Sequence, residues 1–171
     1  MFEKAFEIEP MNFETAYAIG EAYRTQSKEG GDDYRELADK ALFWFGRALK
    51  LNPWDGYSFL RYGMCLDWLE RTTESPPYFD KAEQLDPNGY FILANIGLHY
   101  VQIRNYAAAR AWFERSRKLQ WENNPIAQNY LQIANRKLLE AATNDISATL
   151  DLTGHLPDFA DPPASNSSNT Q

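Results

Sequence analysis

The chain has 171 residues, of which 44% are hydrophobic, and its 24 Asp and Glu against 17 Lys and Arg give a net charge of −7. This length suffices for one domain with a sizeable core, and the acidic balance argues against a nucleic-acid binder, which normally carries a basic excess. No apolar run approaches the roughly 20 residues of a membrane-spanning helix, and the N-terminus lacks the apolar region of a signal peptide, so we expect a soluble segment that is cytoplasmic by default.

The first ten residues, MFEKAFEIEP, introduce a pattern that returns along the chain. A proline preceded by an aliphatic and then an acidic or amide residue occurs at Pro10, Pro53 and Pro87. Glycine follows each proline by ten residues, at Gly20, Gly63 and Gly97. Pro53 and Pro87 lie 34 residues apart, and Trp121 takes the proline position after another 34. A fixed period of this length is typical of proteins built from stacked repeats.

Each repeat divides into two amphipathic helices. After Pro87, the apolar residues Ile92, Ile96 and Tyr100 recur at helical spacing, and Asn105 marks the turn. A second stripe then consists of Ala109, Trp112, Phe113, Ser116 and Leu119. We predict that the glycines lie where the two helices cross, because a larger side chain would hold them apart.

The sequences FEKAFEIEP, FGRALKLNP and YFDKAEQLDP, with the pairs Gly20/Tyr23 and Gly97/Tyr100, resemble the tetratricopeptide repeat family over residues 1 to about 140. The resemblance implies an all-α solenoid of stacked antiparallel helix pairs. The predicted segments are a partial unit over 1–10, units over 11–53, 54–87 and 88–121, a closing helix over 123–142, and a mostly disordered tail over 143–171.

The first unit departs from the period, because Pro10 and Pro53 are 43 residues apart. We place the nine extra residues in the polar stretch 24–36, as a longer loop between the two helices. The first ten residues match only the second helix of a unit. We therefore expect the sequence to be a piece of a longer protein, with a short native capping helix as the alternative.

The sequence also predicts two helix starts and the surroundings of four side chains that could carry chemistry. Ser75 and Asn124 are predicted N-caps, each followed by proline in the first helical position. We predict that the lone Cys65 is a buried, inert thiol and that His99 is a core or groove-edge residue. Asp67 and Glu70, one turn apart, are predicted to be a solvated carboxylate pair. No motif indicates catalysis, a metal or a cofactor, so we expect no enzyme activity.

In the resembled family, the first helix of each unit lines a concave groove that binds peptides or helices. The matching positions here are Tyr17, Glu21, Arg24, Tyr57, Leu60, Arg61, Met64, Asp67, Trp68, Phe91, Asn95, Leu98, Gln102, Gln128, Asn129, Gln132 and Arg136. The alternative for Tyr57, Trp68 and Phe91 is packing between neighbouring units. Some family members clamp a terminal carboxylate with Lys and Asn. Asn95 fits that role, but the lysines are missing and Arg61 is the one central base.

The resemblance therefore implies a non-catalytic scaffold that binds a protein or peptide, either in the groove or on a basic shoulder. The shoulder comprises Arg104, Arg110, Arg115, Arg117 and Lys118. More weakly, the stretches HYVQ and AWFERS are similar to the C-terminal repeat tails of bacterial O-antigen ligase- or polymerase-like membrane proteins. That resemblance implies that the chain is the soluble C-terminal part of a membrane-bound glycosyltransferase. The membrane-spanning segments that tether it to the inner membrane, and the catalytic part, would then lie upstream. About ten upstream spans would favour this alternative.

Overall fold

The structure of the protein is a computed structural model that describes residues 2–8 and 10–153, without the side chains of 2, 3, 5 and 145–153. Within these ranges the chain contains eight α-helices and no strand. The helices are α1 (Phe2–Ile8), α2 (Phe13–Lys28), α3 (Tyr34–Leu51), α4 (Gly56–Trp68), α5 (Pro76–Leu85), α6 (Tyr90–Gln102), α7 (Tyr106–Leu119) and α8 (Pro125–Thr153).

The helices pack as successive hairpins, α2 with α3, α4 with α5, and α6 with α7. Each hairpin also contacts the next through α3 with α4 and α5 with α6, while α8 packs against α6 and α7. Buried apolar residues form four clusters along the stack rather than one central core. The predicted all-α solenoid of stacked helix pairs is confirmed.

The crossing inside each hairpin joins a glycine of the first helix to a buried phenylalanine of the second. A Cβ added at Gly20 would lie 2.8 Å from the Phe45 ring, and one added at Gly63 would lie 2.9 Å from the Phe79 ring. At Gly97 the corresponding distance to Phe113 is 2.5 Å. Because real Cβ atoms do not approach ring carbons this closely, glycine is required at all three crossings, as predicted.

The extra residues of the first unit lengthen its helices instead of its loop. Helix α2 has 16 residues and α3 has 18, against 13 and 10 for α4 and α5. The connection is only residues 29–33, where Gly30 has a φ of 81°. Our prediction of a long loop was therefore wrong, and the additional turn of α2 projects Ser27 and Lys28 past Arg24.

Helix α8 begins as predicted but ends later. The side-chain oxygen of Asn124 accepts a hydrogen bond from the Ala127 amide at 3.2 Å, which confirms the N-cap. The buried residues of α8 are Ala127, Leu131 and Ala134. The helix continues past the predicted end at 142 to Thr153. The remainder of the predicted tail, 154–171, lies outside the described residues.

Candidate functional site

The first helices of the hairpins lie side by side, with α6 packed against both α4 and α8. Residues of α2, α4, α6 and α8, with Glu70 just after α4, line a cavity of about 510 Å³, which we call the concave pocket. Seven of its residues are among those predicted for the groove: Arg24, Met64, Asp67, Trp68, Asn95, Leu98 and Gln102. The pocket also contains five residues outside that predicted set: Lys28, Glu70, Val101, Tyr130 and His99, which we predicted as a core or groove-edge residue.

A charged cluster, which we call the Glu21 cluster, lies on α2 and α4 and shares Arg24 with the pocket. The carboxylate of Glu21 accepts two hydrogen bonds from Arg24 at 2.9 Å, and the Arg61 Nε atom lies 2.9 Å from the same carboxylate. Arg61 also donates to the Tyr17 hydroxyl at 3.4 Å and covers the Phe91 ring at 5.2 Å. Two guanidinium groups thus share one carboxylate, which leaves the cluster with one net positive charge.

The aromatic residues predicted for the groove also make contacts between units. Tyr57 of α4 stacks on Phe91 of α6, with ring centroids 6.2 Å apart and planes 20° apart. Tyr57 and Trp68 nevertheless keep 42% and 41% of their surface exposed. The two interpretations of these side chains are therefore compatible, because one face packs between units while the rest remains accessible to a ligand.

Trp68 depends on the lengthened α2. Its indole nitrogen donates to the Ser27 hydroxyl at 2.8 Å, and that hydroxyl donates to the Tyr34 carbonyl oxygen at 2.7 Å. The Trp68 and Tyr34 rings meet edge to face at 6.1 Å. These contacts fix one edge of the indole in the first unit, so the orientation of Trp68 in the pocket wall is well defined.

A buried polar cluster includes two residues of the pocket lining, Asp67 and His99. The Asp67 carboxylate accepts from the Ser75 hydroxyl at 2.6 Å, and its two oxygens lie 3.1 and 3.0 Å from His99 Nδ1. Because a carboxylate only accepts, Nδ1 carries the proton. Asp67, Ser75 and His99 are 7%, 0% and 4% exposed. The prediction of Asp67 and Glu70 as a solvated pair was therefore wrong for Asp67.

This cluster also changes the role of Ser75, which begins α5 but makes no side-chain capping bond. Its hydroxyl is directed to Asp67 and to the Thr72 carbonyl instead. In a serine nucleophile relay, the serine and the carboxylate contact opposite ring nitrogens of the histidine. Here both meet Nδ1 of His99, and the serine is fully buried. The arrangement is that of a polar core contact joining α4, α5 and α6.

The closing helix contributes to the pocket differently from the prediction. Its pocket residue is Tyr130, whereas Gln128, Asn129 and Gln132 are not among the lining residues. The Gln128 side chain instead donates to the carbonyl oxygen of Trp121. Leu60, another predicted groove residue, is 0% exposed and belongs to the core.

The basic shoulder is separate from the concave pocket. Its residues lie on α7 or, for Arg104, just before it, and none of them lines the pocket. Arg115 pairs with Glu83 at 2.6 Å, and Arg110 lies 3.9 Å from Glu114. Arg117 covers the Trp121 ring at 5.3 Å. Much of the shoulder charge is therefore already balanced or placed on an aromatic face.

Lys28 gives the pocket a second base besides Arg24, which corrects the expectation that Arg61 is the one central base. Among the described residues, Lys28 forms no ion pair. Partial burial lowers its pKa, and the nearby guanidinium groups of Arg24 and Arg61 lower it further. The wall beside Lys28 is thus positively charged.

The described residues hold no group of three or more His, Cys, Asp or Glu arranged for a metal ion. Over the same residues, no helix combines the length and the apolar character needed to cross a membrane. Cys65 is buried as predicted, and its burial raises the pKa of the thiol to about 12.

Comparison with solved structures defines the class of fold. The chain superimposes on the TPR2B domain of yeast Sti1 in complex with pHsp70 with a TM-score of 0.59, at 19% identity, over 77% of this chain and 97% of that one. The first TPR of Spaghetti (RPAP3) bound to the HSP90 peptide SRMEEVD gives a TM-score of 0.56 at 14% identity, over 72% and 95% of the two chains. MamA gives a TM-score of 0.58 at 16% identity, over 83% of this chain and 87% of that one.

The chain therefore has the tetratricopeptide repeat fold. No protein-family model matches the sequence, and comparison with curated proteins finds no match either. The weaker resemblance to O-antigen ligase-like membrane proteins has no support among these findings and stays a prediction.

Proposed function

We propose that the chain is a non-catalytic module that binds a segment of another protein in the concave pocket. One observation carries the proposal: a cavity of about 510 Å³, large enough for one or two big side chains, is lined by both apolar and hydrogen-bonding side chains. Trp68 is fixed along one edge but 41% exposed, which is typical of an aromatic residue that anchors a partner.

The compared structures support this use of the fold. The Sti1 structure is a complex with pHsp70, and the RPAP3 structure contains an HSP90 peptide. In our chain, the amide groups of Asn95 and Gln102 donate to the carbonyl oxygens of Phe91 and Asp67. Their amide oxygens retain the capacity to accept from the backbone of an incoming peptide.

The experiment is selection of peptides from a random display library on the immobilised full chain, followed by fluorescence polarisation with the selected peptides. We expect Trp68→Ala to weaken binding by about tenfold or more, because buried aromatic anchors dominate such interfaces. We expect Arg61→Ala to weaken binding less, because Arg61 does not line the pocket but shares the Glu21 carboxylate with Arg24, which does.

The matched control is Phe43→Ala, which removes an aromatic ring that is 59% exposed on α3 and does not line the pocket. Circular dichroism and thermal melting establish that each variant is folded. Peptides that bind Trp68→Ala and Phe43→Ala equally well would contradict a site in the pocket.

A further inference from the structure

Lys28 lies on the additional C-terminal turn of α2, which the first helices of the other units lack. Helix α2 reaches Lys28, while α4 and α6 end after 13 residues each. The extra turn is held by the hydrogen bonds from Trp68 to Ser27 and from Ser27 to Tyr34. The cation is therefore placed beside the Trp68 wall by a built feature of this chain.

The other charges of the pocket are already engaged. Arg24 shares Glu21 with Arg61, Asp67 is bonded to Ser75 and His99, and Glu70 pairs with Arg35 at 3.3 Å. Lys28 is the one charged lining residue that has no partner of opposite charge among the described residues. An incoming carboxylate would find an unbalanced cation there and an apolar wall next to it.

Resting on the proposed function, we infer that the pocket selects an internal acidic segment of a partner protein, with an Asp or Glu side chain on Lys28 and an adjacent large apolar side chain against Trp68 and Leu98. The lysines with which some family members clamp a terminal carboxylate are missing at the matching positions, so we assign the acid to a side chain of the segment and not to its terminus. Lys28, the cation that would select the acid, lies on the additional turn of α2.

The electrostatics of the pocket agree with this inference. Partial burial, followed by the guanidinium groups of Arg24 and Arg61, lowers the pKa of Lys28, so the folded chain destabilises the charged ammonium group. A bound carboxylate would offset that repulsion, since an opposite charge within a few ångströms favours the charged form. Lys28 is itself an exposed side chain, so the attraction is of the modest size of a surface ion pair, and the apolar contact beside it supplies the rest of the affinity.

The test uses a combinatorial library of nonapeptides with acetylated N-termini and amidated C-termini, bound to the full chain. Blocked termini remove the terminal carboxylate, so any preference for acid comes from side chains. We expect enrichment of Asp or Glu next to Leu, Phe or Trp, and at least a fivefold loss of affinity when the selected acid is changed to its amide. Lys28→Glu should reverse the preference toward Lys or Arg, while Lys50→Glu, on exposed α3 surface, should leave it unchanged.

A double-mutant cycle combines Lys28→Ala in the chain with the acid-to-amide change in the peptide. The interaction energy from this cycle isolates the contact between Lys28 and the peptide carboxylate. We expect the amide change to have little effect on the Lys28→Ala chain. Peptides that require Trp68 but show no acid preference, or show one that does not depend on Lys28, would overturn the inference and leave the proposed function standing. A library that yields no binder requiring Trp68 would overturn both.

Discussion

Replacing Gly97 with alanine tests the packing of the hairpins quantitatively. An added Cβ would lie 2.5, 2.7 and 2.9 Å from three ring carbons of Phe113, whereas carbon atoms normally meet at about 3.5–4.0 Å. The ring would have to move by about 1 Å, yet Phe113 is 0% exposed and packed against Ala109 and Ala127.

Overpacking of a core costs about 1–3 kcal/mol, and alanine recovers about 0.5–1 kcal/mol of helix propensity relative to glycine. Three contacts below 3.0 Å place this site in the upper part of the overpacking range, at about 2–3 kcal/mol, so we expect Gly97→Ala to lower the free energy of unfolding by about 1–2.5 kcal/mol. For a chain of this size, that change corresponds to a melting temperature lower by roughly 2–10 °C. Gly63→Leu or Gly97→Leu adds far more volume and should prevent the affected hairpin from packing.

The matched control is Gly46→Ala in α3, where the nearest atom to an added Cβ is a Tyr62 ring carbon at an ordinary 3.4 Å. This change should raise stability by about 0.5–1 kcal/mol. Both variants are measured by urea unfolding followed by circular dichroism at 222 nm, together with the double variant Gly97→Ala/Phe113→Leu, in which the smaller side chain should reduce the clash. If Gly97→Ala were as stable as the parent chain, the crossings would not be as tight as the structure has them.

Three further predictions concern the core and a helix end. Asp67→Ala should lower the free energy of unfolding by about 1–3 kcal/mol, because Ser75 and His99 lose their buried acceptor. The control is Asp80→Ala, at an exposed position, and equal urea midpoints for the two variants would refute the role of the cluster. Cys65, whose pKa is raised to about 12 by burial, should stay protonated at pH 8 and react with a thiol reagent only as fast as the chain opens; immediate labelling of the native chain would contradict its burial. Arg104→Gly should raise the free energy of unfolding by about 0.5–1 kcal/mol, because Arg104, two residues after the end of α6, has a φ of 60° that glycine adopts without strain. An unchanged or lower melting temperature would show that the arginine side chain offsets this cost.

The repeat architecture could be predicted because its determinants recur locally. Glycine follows proline by ten residues three times, and each of these glycines meets a phenylalanine of the following helix, so the hairpins could be placed from the sequence. The end of α8 was also within reach of the sequence, since no proline or glycine interrupts residues 126–153.

The polar interior of the site was not predictable in the same way. Asp67, Ser75 and His99 are separated by up to 32 positions, and each alone has the pattern of a surface, capping or edge residue. Only the packing of α4 against α6 shows that the Asp67 carboxylate is the hydrogen-bond partner of both Ser75 and His99. Lys28 was missed for a related reason, because a polar stretch with two glycines is typical of a loop, and here it extends a helix instead.

Chemical-shift mapping tests the central claim most directly. The isotope-labelled chain is titrated with a blocked acidic peptide from the selection, and amide shifts are followed residue by residue. We predict that the largest changes fall on α2, α4 and α6 around Lys28, Trp68 and Leu98, and that they disappear in Trp68→Ala. Shifts concentrated on α3, α5 and α7 would contradict a binding site on the concave side.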